Sequence, residues 1–189
     1  MEFFKASAAY NEIAFIAGNR TGKTVAGAYA TTLHLTGLYP DWWEGRRFER
    51  PISAWAAGGT NKAVRDILQF ELLGPTHERG TGMIPGDLIA DVATSRGVAD
   101  AVDTVYVRHV GGGLSALGFK SYMEGRENFQ GTAKHVVWFD EEPPKDVYGE
   151  ALMRTMIVPG GGSGVVMLTF TPLLGWSDVV DAFLGEKAA

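Results

Sequence analysis

The run Ala17-Gly18-Asn19-Arg20-Thr21-Gly22-Lys23-Thr24 constrains this chain more than any other eight residues in it. It matches the pattern G-x-x-x-x-G-K-[ST] with alanine in the first glycine position. An apolar stretch at 13–17 precedes it and a helical pattern over 22–36 follows, so the run sits at a strand-to-helix turn. Such a turn points successive backbone N–H groups inward, and the helix start adds partial positive charge, so the loop binds phosphate oxygens. Lys23 is placed to reach the β- and γ-phosphates of a nucleotide and the Thr24 hydroxyl to ligate Mg²⁺. Gly18, Asn19, Arg20, Thr21 and Gly22 supply the rest of the cradle. The same residues arise by accident in about one random chain of this length in a hundred, and the flanking strand and helix lower that further.

The rest of the chain is consistent with one α/β domain spanning 1–189, long enough to bury a substantial core. Hydrophobic residues make up 46% and charged residues 21%, a globular rather than a disordered balance. No apolar run approaches 20 residues and no leader pattern is present, so neither a membrane span nor a signal peptide is expected. Cysteine is absent, which removes disulfide frameworks and thiolate metal sites. The net charge of −5 argues against a domain that grips nucleic acid over its whole surface. Only Arg46, Arg47 and Arg50 gather in one loop, so any grip on DNA is local, shared between subunits, or carried elsewhere.

Strand patterns at 13–17, 52–57, 135–139 and 165–169 alternate with helical patterns at 22–36, 61–73, 145–156 and 177–184. That alternation predicts a mostly parallel sheet covered on both faces. Thr60 or Asn61 caps the second helix and Gly74-Pro75 ends it. Three short β-rich stretches at 88–93, 104–110 and 114–119 predict an antiparallel elaboration on one side. Gly160 to Gly164 reads as a mobile turn.

A second motif supports the first. His135-Val136-Val137-Trp138-Phe139-Asp140-Glu141-Glu142 is an apolar strand ending in acids, the Walker B arrangement. Asp140 is expected to hold Mg²⁺ and Glu141 to orient and deprotonate an attacking water. An acid directly after the Asp favours hydrolysis over phosphoryl transfer to a metabolite. Glu142 reads as a solvated residue or a cap for the next helix, or else shares the role of Glu141. Arg20 can reach a γ-phosphate or a neighbouring subunit's site, or stay a solvent-facing loop residue. Thr171, in Thr169-Phe170-Thr171-Pro172, either senses the γ-phosphate or satisfies backbone groups before a turn. Arg126, within residues 122–132, either serves as an arginine finger or DNA contact or lies on a plain connection. Asp41-Trp42-Trp43 reads as an apolar plug rather than a stacking platform. The four histidines have no metal-like spacing.

Taken in order, Gly18 to Thr24, Tyr39-Pro40-Asp41-Trp42-Trp43-Glu44-Gly45, Gly125-Arg126-Glu127 through Phe129-Gln130-Gly131-Thr132, Trp138 to Pro144, and Thr169 to Pro172 resemble the large terminase subunit of tailed bacteriophages. The resemblance covers nearly the whole chain. It implies a P-loop NTPase of the RecA-like (ASCE) type, with the sensor strand inserted between the P-loop strand and the Walker B strand. It implies Mg-dependent ATP hydrolysis that drives double-stranded DNA into a procapsid, by a homo-oligomeric ring with a portal protein and a small terminase subunit as partners. By the same resemblance the setting is the cytoplasm of the infected bacterial host, the protein does not remain in the mature virion, and no membrane is involved. Lys23 and Thr24 match the phosphate and metal positions, Asp140 the metal carboxylate, Glu141 the base, Arg20 the loop arginine, and Thr169 to Thr171 the coupling motif.

Such proteins continue into a nuclease domain with an acidic cluster, which is expected to be missing here, so nuclease activity is not expected. Their adenine-contacting segment upstream of the loop is expected to be shortened, since 12 residues precede the first strand. Alternatives are one core domain of a helicase-like DNA-dependent ATPase, a nucleotide-binding switch without turnover, and a metabolite kinase. The tryptophan segment, Glu141 and the lack of a substrate lid speak against each in turn.

Overall fold

The computed structural model describes residues 1–185. A short helix α1 (Glu2–Ala6) leads into β1 (Glu12–Ile16), the P-loop turn and α2 (Lys23–Thr36). After β2 (Ser53–Gly58) come α3 (Asn61–Ala63), a π-helical stretch at Val64–Gln69 and α4 (Phe70–Leu73). Then follow β3 (Ile89–Thr94), β4 (Val102–Arg108), β5 (Leu114–Ser121), β6 (Val136–Asp140), α5 (Lys145–Thr155), β7 (Val165–Phe170) and α6 (Asp178–Leu184). Among the described residues, no helix is long and apolar enough to cross a membrane.

All seven strands join one sheet in the order β1-β7-β6-β2-β5-β4-β3. The first five of that order run parallel to their neighbours, while β4 and β3 are antiparallel. This is the mostly parallel α/β architecture expected, with β7 seated between β1 and β6. One expectation is corrected: β5 belongs to the parallel sheet, pairing with β2 from Ser53↔Ala116 to Gly58↔Ser121. Its residues alternate between buried and partly exposed, the pattern of a strand with one open face, which is why it reads like an antiparallel strand. The helix expected over 61–73 forms with Thr60 as its cap, the hydroxyl accepting from Ala63 N–H at 3.0 Å, but its middle is π-helical. There the buried Gln69 amide donates to the Asp100 carbonyl and accepts from Val102 N–H, tying the helix to the start of β4.

β6 and β7 are buried along their full length because helices cover both faces. Their side chains alternate with period two. Val136, Trp138, Val165 and Met167 face one apolar cluster with α2, the π-helical stretch and α4, whereas Val137, Phe139, Val166, Leu168 and Phe170 face another with α5 and α6. The indole of Trp138 lies against α2 at Gly27, where any Cβ would overlap the ring. Glycine there costs helix propensity, about 1 kcal/mol relative to alanine, in exchange for the close approach of α2 to the sheet.

Trp43 is the plug expected of the tryptophan segment: it is buried against Phe4, His34 and Tyr39. Trp42 instead stays exposed and stacks on Tyr29. His34 is fully buried there, which lowers its pKa to about 3, so it stays neutral. Arg46 is structural. Its guanidinium donates to the Ser163 and Gly164 carbonyls and to Asn11 Oδ1, pinning the end of the glycine-rich turn.

Candidate active site

Strand parity assembles this site. Asp140 follows Trp138 by two residues and Thr169 follows Met167 by two, so both side chains emerge on the α2 face. Register then places them side by side, Asp140↔Thr169. The Thr169 hydroxyl donates to Asp140 Oδ1 at 2.8 Å and accepts from Trp138 Nε1 at 2.8 Å. From the opposite side, the Thr24 hydroxyl at the start of α2 donates to the same Oδ1 at 2.9 Å. Thr24 and Asp140, 116 positions apart in the chain, therefore meet at one point.

The loop itself is built by two left-handed residues. Gly22 has φ 82°, a conformation natural to glycine, and it accepts Ala26 N–H as α2 begins. Arg20 has φ 60°, which in a non-glycine residue costs about 1 kcal/mol. The Thr21 hydroxyl and the Lys23 ammonium both donate to the Gly18 carbonyl, at 2.9 and 2.6 Å, so the buried Lys23 is held across the mouth of the loop. Thr171, just past β7, places its hydroxyl 2.9 Å from the Ala17 carbonyl and 3.0 Å from Asn19 Oδ1, either of which can accept its proton. The end of β7 is thereby in direct contact with the loop at 17–24.

Asp140 is only 5% exposed, and burial raises its pKa to about 6. The Thr169 and Thr24 hydroxyls oppose that rise, the nearby Glu141 adds to it, and Lys23 opposes it. A buried carboxylate beside a threonine hydroxyl is a hard-oxygen donor pair, and the carboxylate is poorly compensated by the protein alone. Both features fit a Mg²⁺ ion.

Glu141 leaves the strand with φ 69°, its N–H donating to the Thr169 carbonyl and its side chain exposed. What holds this strained turn is Tyr122, which sequence reasoning passed over. Its phenol approaches the Glu141 carbonyl at 2.8 Å and the Asp140 carbonyl at 3.1 Å. Burial, and then the charges of Asp140 and Glu141, raise the Tyr122 pKa well above its usual value, so it remains a donor. Tyr122→Phe is expected to lower ATP turnover about tenfold with little change in KM, at a stability cost of about 1–2 kcal/mol. Steady-state kinetics and thermal melting check this.

One expectation is corrected. Glu142 is half-buried and accepts from the Ser177 hydroxyl, which itself caps α6 through Val180 N–H, so it is neither solvated nor a cap for α5. Arg126 does not join the Lys23–Thr24–Asp140–Glu141 group. Its Nε donates to the buried Glu150 carboxylate at 3.0 Å, and Arg154 binds the other oxygen of that carboxylate at 2.9 Å. Arg154 also donates to the Gly131 carbonyl, which ties the 125–131 loop to α5. Arg126 is about half exposed.

The family model for the terminase large subunit, T4likevirus-type, N-terminal part, matches residues 14–189. The chain belongs to this family. The large terminase subunit of Salmonella phage P22 is 40% identical over 203 residues, an alignment that covers 97% of this chain. The chain spans about 40% of the length of that relative. Among solved structures, the ATPase domain of the Thermus phage P74-26 large terminase superposes with a TM-score of 0.53 at 19% identity, over 84% of this chain and 59% of that one. A large terminase of a thermophilic bacteriophage in complex with ADP gives a TM-score of 0.52 at 16% identity, over 84% of this chain and 33% of that one. These likenesses support the same fold.

Proposed function

We propose that this terminase-family chain is the ATP-hydrolysing motor domain of a viral DNA-packaging machine, one domain over 1–189, coupling Mg-dependent ATP hydrolysis to translocation of double-stranded DNA into a procapsid. The observation that carries the reading is the convergence of the Thr24 hydroxyl on Asp140 Oδ1 at 2.9 Å beneath a phosphate loop closed by Lys23. In the proposed reaction the loop N–H groups bind the phosphate oxygens, and Lys23 leaves the Gly18 carbonyl to reach the β- and γ-phosphates. Thr24 and Asp140 hold Mg²⁺. When bound, that ion neutralises charge on the phosphates. Glu141 orients a water and takes its proton as the oxygen attacks the γ-phosphorus, and the β,γ-bridging bond breaks to give ADP and inorganic phosphate.

Thr171 bridges the loop and the end of β7, so release of phosphate from the loop has a direct route into the sensor strand. Thr169 serves that route from inside, through Asp140. Exposed Arg20 is assigned to the γ-phosphate or a neighbour's site, and Arg126 to a neighbouring subunit or DNA once freed from Glu150. The partners proposed are double-stranded DNA, a portal protein, a small terminase subunit and further copies in a homo-oligomeric ring, in the cytoplasm of the infected host. None of the residues named here is assigned to DNA cleavage.

The test is ATP turnover across protein concentration, with and without duplex DNA. Specific activity is expected to rise with concentration, because a ring motor completes its site with a neighbour. Linear, DNA-indifferent turnover would count against the packaging ring in favour of a self-contained ATPase.

A further inference from the structure

On the α5 side of the sheet, the covering helices stop short of its far half: α5 packs on β6 and β7, and α2 and the π-helical stretch meet β5 from the other side. The opposite face of β5, β4 and β3 is open. Register lines up Gly118, Thr104 and Ala93 across it, with Ala116, Tyr106 and the exposed Asp91 in the next row. Small side chains leave the backbone approachable along this strip.

At its inner border lies Trp55, paired with Gly118 and only 6% exposed. Two lysines cover its ring. Lys134, from just before β6, places Nζ 4.8 Å from the ring centroid, and Lys120, from the end of β5, places Nζ at 5.8 Å. Among the described residues neither forms an ion pair with a carboxylate. Lys134 donates to the Thr132 hydroxyl at 2.8 Å. Its pKa is lowered, first by burial and then by the charge of Lys120. Beyond Lys120 a cavity of about 490 Å³ continues the surface, with Arg65 and Arg96 among its lining residues as well as Asp103 and Glu124.

A cation over an aromatic ring gains about 0.5–1 kcal/mol or more, but two ammoniums sharing one ring repel each other, and burial penalises Lys134. An anion seated between them offsets that repulsion and supplies a counter-charge to Lys134. In a chain of net charge −5, a paired-cation site without its own counter-charge is complementary to an external anion. The strip beside it offers the backbone at Gly118 and the Thr104 and Tyr106 hydroxyls to a sugar-phosphate backbone, with Asp91 at its outer edge. We propose that Lys120 and Lys134, held over Trp55, are a phosphate-contact site through which this domain meets duplex DNA. The proposal rests on the DNA-translocating reading above and names the surface that performs it.

The test uses the whole chain and a fluorescently labelled duplex, with anisotropy titrations from about 50 to 200 mM salt. The double variant Lys120→Gln/Lys134→Gln is expected to weaken binding about tenfold or more and to flatten the slope of log affinity against log salt by about two. Lys120→Arg/Lys134→Arg restores the slope, and Mg-ATP binding and the melting temperature stay at wild-type values in both variants. Unchanged duplex binding by the glutamine variant would overturn the site while leaving the packaging reading intact. A wild-type chain that binds no duplex at the lowest salt would also overturn it, and the DNA dependence of turnover then judges the packaging reading separately. Displacement of the duplex by millimolar inorganic phosphate alone would mark the lysines as a small-anion site and overturn the assignment to DNA.

Discussion

Glu141→Gln is expected to lower ATP turnover by about 10²–10⁴-fold while ATP binding persists. The amide keeps the size of the side chain and its hydrogen-bonding oxygen but cannot accept a proton from water. Nothing in the loop changes, since Lys23, Thr24 and Asp140 make their contacts without Glu141. A filter-binding or fluorescent-nucleotide titration should therefore match wild type while phosphate release collapses. The backbone supplies a control. Glu141 sits at φ 69°, where glycine carries no Cβ penalty. Glu141→Gly is expected to be as inactive as the glutamine variant yet more stable by about 1 kcal/mol, the strain released. A glutamine variant with normal turnover would remove Glu141 from the role of base.

The parts of this site that were legible in the sequence are local in the chain. The phosphate loop is eight consecutive residues with fixed φ demands and a helix start behind them. The acid-tipped strand is likewise continuous, and strand parity alone puts Asp140 on the face of Trp138. What was not legible depends on register between distant segments. That Thr169 stands beside Asp140, rather than one residue off and on the other face, is set by how β7 aligns with β6. Tyr122 clamps the Glu141 turn only because β5 joins the parallel sheet, and its alternating burial disguised that direction. Glu142 and Ser177 are 35 residues apart, and Arg126 and Glu150 24 apart, without any motif to link them. The departures from local expectation, positive φ at Arg20 and Glu141, fall in the phosphate loop and at the acid proposed to activate water. Strain of this kind concentrates where function overrides propensity.

Asp140→Asn is expected to stabilise the nucleotide-free domain by up to about 3 kcal/mol at pH 8, while abolishing Mg-dependent ATP binding and hydrolysis. The size follows from a folded-state pKa of about 6, set chiefly by burial, against about 3.9 for a free aspartate, at about 1.4 kcal/mol per unit. The residue is 5% exposed, so solvent screening discounts little of this. The folded state holds the proton more tightly than the unfolded state. The stability it contributes is therefore complete below about pH 4 and is lost as pH rises to 6; above that, the ionised carboxylate carries the whole cost. Asparagine keeps an oxygen to accept from Thr24 and Thr169 and carries no charge to desolvate. The wild-type melting temperature should thus fall between pH 4 and 6 relative to Asp140→Asn, and the two curves should run parallel above pH 7. Bound Mg²⁺ replaces the proton as the carboxylate's counter-charge, so its affinity for the wild-type site should weaken about tenfold per unit below pH 6. An asparagine variant less stable than wild type at pH 8 would mean that Asp140 is already compensated by the protein, and that the pocket is not shaped around a cation.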